Sequence, residues 1–91
     1  MLYMVVETFR EPRAVYERAR ERGRMLPAGL RYVDSWIDAQ DLARCFQLME
    51  TDDPALFAEW TAEWSDLGEF EIIPVVDSAG AAALALDDEG S

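Results

Sequence analysis

Apolar and polar positions along this chain predict alternating strands and helices. Leu2 to Phe9 is a nearly continuous apolar and β-branched run, which is typical of a central strand buried on both faces. Pro12 then opens a stretch whose apolar residues recur at helical spacing among Arg and Glu residues. This pattern predicts a first helix that ends at Gly23 or continues to Met25.

The middle of the chain predicts a hairpin. Strong alternation from Leu30 to Ala39 indicates a second strand, and the pattern from Arg44 to Glu50 indicates a third. A short polar connection at Gln40-Asp41 separates the two runs. We therefore expect these strands to pair antiparallel.

The second half of the chain predicts another helix and another strand. Thr51-Asp52-Asp53-Pro54 is typical of a helix start, because a capping residue precedes a proline; an apolar stripe follows, and Gly68 ends it. Phe70 to Val76 predicts a fourth strand, in which Pro74 lacks a backbone donor and so favours an edge position. The alanine-rich segment 78–91 predicts a short helix or a frayed end.

The resulting order, β-α-β-β-α-β, predicts a ferredoxin-like α+β fold. Right-handed crossovers would place both helices on one face of a four-stranded antiparallel sheet. We expect one domain over residues 1–77, followed by a tail over residues 78–91 that forms a short helix and is then disordered. The second face of the sheet needs another cover.

Period-two alternation divides the strand residues between the two faces. We assign one mostly aliphatic set to the helix-covered face: Met4, Val6, Val33, Ile37, Phe46 and Leu48. The opposite face then collects aromatic and polar side chains together: Tyr3, Val5, Glu7, Tyr32, Asp34, Trp36, Cys45, Gln47 and Met49. Such a face predicts a homodimer in which two sheets stack and enclose a small-molecule pocket.

Composition removes several chemistries. The 91 residues include no histidine, no lysine and a single cysteine, Cys45. Histidine-based nucleophilic catalysis, imidazole metal ligation, lysine Schiff bases and an internal disulfide are therefore excluded. We expect no metal site and no cofactor.

Charge is unevenly distributed along the chain. The net charge is −11, but residues 1–33 hold seven arginines against four glutamates, whereas residues 34–91 hold only Arg44 against fifteen acids. An acidic protein of this kind is not expected to bind nucleic acid, which needs a cationic face. Met1 is followed by no signal-peptide pattern and no apolar run approaches the roughly 18 residues of a membrane span. These features predict a cytoplasmic protein without a membrane partner.

Two carboxylates are candidate acid–base groups. Asp34 lies between Tyr32 and Trp36, and desolvation by aromatic neighbours raises a carboxyl pKa towards a useful range. Glu7 is a candidate for the same reason. Structural alternatives remain open for both, as a hydrogen bond across the subunit interface or as the anchor of a loop; for Glu7, an ion pair with Arg24 or Arg31 is a further alternative.

The aromatic residues of the same face are candidate ligand contacts. Tyr32 and Trp36 would stack on a planar molecule while Gln47 orients a carbonyl or hydroxyl; Tyr3 and Met49 would line the same pocket. Equally, these aromatics fit the core of a dimer interface.

Other residues offer weaker signals. Arg22, Arg24 and Arg31 would hold an anionic group or neutralise the acidic remainder of the chain, and Arg24 joins the predicted ligand contacts. Trp60 and Trp64 lie four residues apart and predict core packing. Without a histidine to activate it, Cys45 is predicted to be a buried structural thiol.

Several segments resemble a known family. Residues 1–7 (MLYMVVE), 22–27 (RGRMLP), 32–36 (YVDSW) and 45–53 (CFQLMETDD) are similar to the short bacterial proteins grouped as DUF3303. The stretches 57–64 and 70–74 continue the similarity, which covers about residues 1–77. That family has no assigned activity, and the resemblance implies membership of the dimeric α/β-barrel group. This wider group includes cofactor-independent monooxygenases, muconolactone isomerases and small ligand-binding domains.

These observations favour a homodimer that binds a small apolar or aromatic molecule, which could be anionic, between its two sheets. One alternative is a cofactor-independent enzyme, monooxygenase-like or isomerase-like, with Asp34 or Glu7 as its base. The other is a structural or interaction module without a site.

Overall fold

The computed structural model describes the backbone of residues 1–90 and the side chains of residues 1–87. Its elements are β1 (Leu2–Phe9), α1 (Pro12–Arg22), β2 (Arg31–Ile37), β3 (Arg44–Glu50), α2 (Leu56–Ala62), β4 (Gly68–Val75) and α3 (Ser78–Gly90). The strands form one open sheet in the order β2-β3-β1-β4, and every neighbouring pair is antiparallel. The predicted α+β class, element order and antiparallel sheet are confirmed, and a third helix follows them.

Several predicted boundaries are confirmed by the residues that set them. β3 has the predicted limits, and α1 ends one residue before Gly23, whose positive φ of 67° suits glycine. β1 is central in the sheet, and β4 lies at its edge, where Pro74 pairs with Tyr3 without needing a donor on its outer side.

Helix α2 is shorter than the apolar stripe suggests. It is preceded by turns in which Thr51 Oγ1 accepts the Asp53 N–H at 3.0 Å and Asp53 Oδ1 accepts the Ala55 N–H at 3.1 Å. After the helix, the N–H groups of Glu63 and Trp64 bond to carbonyls three residues back. These tighter i→i+3 turns replace α-helix at both ends. The helix start predicted at residues 51–54 is therefore too early: these side chains close turns ahead of α2, whose N-cap residue, Ala55, makes no side-chain capping bond.

The face assignment on β1 and β3 is wrong. The buried set, which faces α1 and α2, contains Tyr3, Val5, Glu7, Phe9, Cys45, Gln47 and Met49. Met4, Val6, Phe46 and Leu48 lie on the other face and are only partly buried. The prediction placed polar residues away from the core because unpartnered polar groups are costly to bury. Here Glu7 and Gln47 hydrogen-bond each other, which makes their burial tolerable.

A register shift changes the assignment on β2. Tyr32 pairs with Met49, but the next paired residue is Asp34 with Leu48, so an irregularity at Val33 interrupts the alternation. Tyr32 therefore lies on the helix side, whereas Asp34 and Trp36 lie on the other. Ile37 pairs with Cys45 and faces the helices as predicted, but Val33 does not and is 49% exposed.

The sheet surface that no helix of residues 1–87 covers is called the open face below. It consists of neighbouring apolar side chains from all four strands: Met4, Val6, Trp36, Phe46, Leu48 and Ile73. Trp36 is 50% exposed and Ile73 is 39% exposed. A contiguous apolar surface of this kind is unusual on a solvated monomer.

Arginines from the first third of the chain pair with acids further along it. Arg18 on α1 makes a bidentate ion pair with Asp66, both N–O distances being 2.8 Å, and also donates to the Glu63 carbonyl. The Asp66 partner raises the pKa of Arg18, and Arg18 lowers the pKa of Asp66. The Arg18–Asp66 ion pair thus connects the arginine-rich helix α1 to the acidic segment after α2.

The C-terminal segment forms α3, whose side chains are exposed from Ala81 to Asp87. The helix predicted for this segment is present. The disordered end predicted after it falls on residues 88–91, whose side chains are outside the described part of the chain. No helix within residues 1–90 has the length and apolar character that crossing a membrane requires.

Candidate functional site

A cavity of about 270 Å³ lies between the sheet and helices α1 and α2. We call it the interlayer cavity. Its wall is largely apolar, with a few polar groups, and it is formed by Glu7, Phe9, Val15, Tyr16, Ala19, Gly23, Arg24, Ser35, Ile37, Cys45, Gln47, Trp60 and Trp64.

Small residues on α1 explain why space remains under this helix. Ala19 and Gly23 are four residues apart, so they follow one another along the side of α1 that meets the sheet. Neither carries a side chain long enough to reach the strands. Larger residues also line the cavity, which is partly open to solvent: Tyr16 packs edge-on against Phe9 at 6.3 Å between ring centroids.

Glu7 is the most buried acidic residue among the described side chains. Glu7 is 4% exposed, and its Oε2 accepts a hydrogen bond from Gln47 Nε2 at 2.5 Å. Cys45 lies opposite Glu7 in the strand register, and its thiol is a further hydrogen-bonding neighbour. Burial raises the pKa of Glu7 above its usual value, against the opposing effects of Gln47, Cys45 and the charge of Arg24.

Arg24 extends the hydrogen-bonded group of Glu7 and Gln47 towards the protein surface. Its Nε donates to Gln47 Oε1 at 3.3 Å, and its guanidinium carbon lies 3.6 Å from the centroid of the Tyr32 ring. The carbonyl of Arg24 accepts two indole N–H bonds, from Trp60 at 2.9 Å and from Trp64 at 3.1 Å. Two tryptophans near the second helix therefore fix the backbone from which this arginine reaches the cavity.

The flanking backbone shows why two such bonds are useful. Gly23 has φ of 67° and Met25 has φ of 58°, both in the left-handed region. For a residue with a Cβ such as Met25, this conformation costs about 1–2 kcal/mol. The paired indole bonds offset that cost and hold the segment in place.

Cys45 is expected to react slowly with thiol reagents. Burial, reinforced by the neighbouring Glu7 carboxyl, raises the pKa of the Cys45 thiol from 9.0 to about 12. Because only the thiolate attacks, the native protein should react with Ellman's reagent at pH 8 about a thousandfold more slowly than the denatured chain. Glu7→Gln should speed the native reaction, since it removes a nearby negative charge. A native rate within tenfold of the denatured rate would show that the thiol is accessible and ionised.

The sequence-predicted ligand residues are divided by the structure. Glu7, Gln47 and Arg24 meet at the interlayer cavity, and Tyr32 joins them through Arg24. Tyr3 and Met49 are core residues instead: Tyr3 packs edge-on against Phe57 at 5.1 Å, and Met49 is fully buried.

Asp34 and Trp36 lie on the open face, away from Glu7. Asp34 is exposed, and its Oδ1 accepts the Ser35 N–H at 2.8 Å. The predicted grouping of Asp34, Tyr32 and Trp36 on one side is therefore wrong, because the irregularity at Val33 separates Tyr32 from the other two. The structure places Glu7, not Asp34, in a buried position on the cavity wall.

The three predicted anion-binding arginines do not form one cluster. Arg31 pairs with Glu50 on β3 at 3.0 Å, and Arg22 is exposed. Only Arg24 lines the interlayer cavity.

Several cavity residues were not among the predicted ligand contacts. Trp60 and Trp64 were assigned to the core, where they do lie, but they also line the cavity and anchor Arg24. No sequence signal marked the cavity, because Glu7, Cys45 and Gln47 are recognised as inward residues of two central strands only once the buried face is known.

Among residues with described side chains, no group of three or more Cys, Asp or Glu residues is placed to hold a metal ion. The polar groups of the lining side chains are a carboxyl, an amide, a thiol, two hydroxyls, two indole N–H groups and a guanidinium. Such a set suits hydrogen bonding to an organic molecule.

Comparison with protein-family models gives one match: a domain of unknown function, DUF3303, aligns with residues 1–87. The chain belongs to the DUF3303 family. The DUF3303 match extends past β4 into α3, beyond the residues 1–77 on which the sequence resemblance rested. Among curated proteins no relative of this DUF3303 chain was found, and none was found among solved structures.

Proposed function

We propose that this DUF3303 protein binds a small, largely apolar organic molecule in the interlayer cavity. One observation carries the proposal: the carboxyl group of Glu7, which is 4% exposed, lies on the wall of a largely apolar cavity and is hydrogen-bonded to a neutral amide. A buried carboxyl destabilises a core, because desolvation disfavours its charged form. Its presence here therefore favours a role in binding. Convergent polar groups in an apolar cavity are typical of small-molecule sites.

The volume limits the ligand to about one ring. At about 270 Å³ the cavity lies just under the usual range of ligand pockets, which begins at roughly 300 Å³. An apolar cavity of about 150 Å³ is enough for benzene. A single ring with one or two substituents therefore fits inside the cavity.

A thermal-shift panel of one-ring molecules tests this proposal. A ligand that binds only the native state raises the melting temperature as its concentration rises. Ala19→Phe fills the cavity from α1 and should abolish the shift, whereas Ala14→Phe on the same helix, outside the cavity wall, should retain it. Equal shifts in both variants would place binding elsewhere and contradict the proposal.

The proposal includes a homodimer that buries the open face. A C2 interface must complement itself. Around the apolar residues, Arg44 on β3 and Glu69 and Glu71 on β4 are exposed and belong to the same face, since Arg44 and Glu69 both pair with Thr8 and Glu71 pairs with Val6. In the proposed dimer, a second copy related by a twofold axis places its Glu69 and Glu71 near Arg44 of the first. The apolar residues of the two open faces then pack together at the centre.

Solution mass tests the dimer. At micromolar concentration, sedimentation equilibrium should give twice the 10.3 kDa of one chain. Leu48→Lys, in the centre of the open face, should give a monomer, while Leu42→Lys, an exposed residue of the β2–β3 connection, should leave the dimer intact. A wild-type monomer at these concentrations would overturn this part of the proposal.

A second candidate function is cofactor-independent proton abstraction with Glu7 as the base. The observation that favours it is the raised pKa of Glu7, which makes the carboxylate a stronger base than an exposed one. Cyclohexanone in D₂O is a suitable probe, since α-hydrogen exchange is visible by NMR. Exchange that the protein accelerates and Glu7→Gln abolishes would support catalysis; equal exchange in both would remove Glu7 from that role.

A further inference from the structure

The hydrogen bonds at the interlayer cavity have a direction. Arg24 Nε donates to Gln47 Oε1 at 3.3 Å, and Gln47 Nε2 donates to Glu7 Oε2 at 2.5 Å. Both ends of the Gln47 amide are thus occupied, which fixes its orientation with the N–H group towards Glu7. The series of hydrogen bonds from Arg24 through Gln47 therefore ends at the Glu7 carboxylate, which only accepts.

The Glu7 carboxylate retains capacity for another donor. An ionised carboxylate has about four lone-pair sites, of which Gln47 and the Cys45 thiol use at most two. Neither neighbour carries a positive charge. A molecule entering the cavity with an O–H or N–H group would give Glu7 the partner that solvent can no longer supply.

A carboxylate ligand would meet the opposite situation. It would bring a second negative charge next to Glu7, where low exposure weakens screening. Arg24 is the arginine that lines the cavity, and its side chain is exposed. Its guanidinium lies over the Tyr32 ring, and its Nε already donates to Gln47. Its charge reaches Glu7 from the edge of the cavity but does not outweigh the burial that raises the pKa of this carboxyl.

Resting on the cavity binding proposed above, we propose that the interlayer cavity selects single-ring molecules with an O–H or N–H donor, such as phenols and aromatic amines, and discriminates against aromatic carboxylates. Glu7 accepts the donor while the apolar wall holds the ring. This narrows the ligand class expected from the sequence, in which an anionic molecule was included.

Four probes of similar shape test the selection: phenol, aniline, toluene and benzoate. Their Kd values follow from titrations of the indole N–H resonances of Trp60 and Trp64, which line the cavity. Phenol and aniline should bind at least tenfold more tightly than toluene, because a hydrogen bond to a charged group is worth about that factor. Benzoate should bind at least tenfold more weakly than toluene.

Two variants identify the group responsible. Glu7→Gln keeps the size and removes the charge, so the donor preference should fall to less than threefold and the benzoate penalty should disappear. Asp34→Asn removes a carboxylate from the open face and should leave the wild-type order unchanged.

The outcomes separate this inference from the proposal beneath it. If toluene binds but benzoate binds as well as phenol, the selection is overturned and cavity binding stands. If none of the four probes shifts the indole resonances, both are overturned. The wild-type ranking alone decides the question should Glu7→Gln fail to fold.

Discussion

Trp60→Ala is expected to lower the free energy of unfolding by about 3–5 kcal/mol, the cost of truncating a fully buried aromatic residue. Trp60 is 1% exposed, and its ring lies 6.0 Å from Phe70 and 6.5 Å from Phe57 between centroids. Its indole N–H also holds the Arg24 carbonyl. Since domains are stable by only about 5–15 kcal/mol, the variant should lose a large share of its stability.

Urea denaturation at pH 7, followed by circular dichroism, measures this loss. Leu42→Ala is a suitable control, because Leu42 is 61% exposed and its truncation should change stability by less than about 0.5 kcal/mol. If Trp60→Ala cost no more than the control, α2 would not be packed on the sheet as described.

Glu7→Gln is expected to stabilise the protein at neutral pH. Burial raises the folded-state pKa of Glu7 above the ordinary value of 4.5. The folded protein then binds this proton more tightly than the unfolded chain, so the contribution of Glu7 to stability is greatest below about pH 4.5 and is lost as pH rises through the folded pKa. A glutamine at this position accepts the same bond from Gln47 through its carbonyl and carries no charge to desolvate.

Stability curves of both proteins between pH 4.5 and pH 8 test this expectation. The advantage of Glu7→Gln should be largest at the neutral end and should shrink as pH falls towards 4.5. Asp34→Asn, which changes an exposed carboxylate, should show no such trend. Parallel curves for wild type and Glu7→Gln would contradict the raised pKa.

Local signals in the sequence were sufficient for most of the fold. Gly23 ended α1, Pro74 placed β4 at an edge, and the alternation of β3 gave its limits. Each of these depends on neighbouring residues alone. The antiparallel order followed because two crossovers and one hairpin leave few arrangements for four strands.

The sequence could not decide which face of the sheet is inside. Alternation divides the strand residues into two sets. Which set faces the helices depends on whether its polar side chains find hydrogen-bond partners when they are buried. Glu7 and Gln47 satisfy each other across neighbouring strands, a pairing that is visible only once the register is known. The irregularity at Val33 has no local signal either, and it moved Tyr32 to the other side.

The candidate site was predicted in part for the same reason. Glu7 was selected as an acid–base group, Gln47 as a group that orients a ligand, and Arg24 as one of three arginines that would hold an anion; the structure brings these three together. Their surroundings were not predictable, because the cavity depends on small residues of α1 passing over a particular pair of strands. The tryptophans that hold Arg24 come from a third part of the chain.

The central claim, that the site lies between the sheet and its own helices, is tested most directly by methyl NMR with toluene as the probe. Val15 and Ile37 line the interlayer cavity, whereas Val33 and Ile73 are exposed on or beside the open face. Binding in the cavity predicts saturable shifts at Val15 and Ile37, with Val33 and Ile73 unchanged. Shifts confined to Val33 and Ile73 would contradict it and place the site between two sheets.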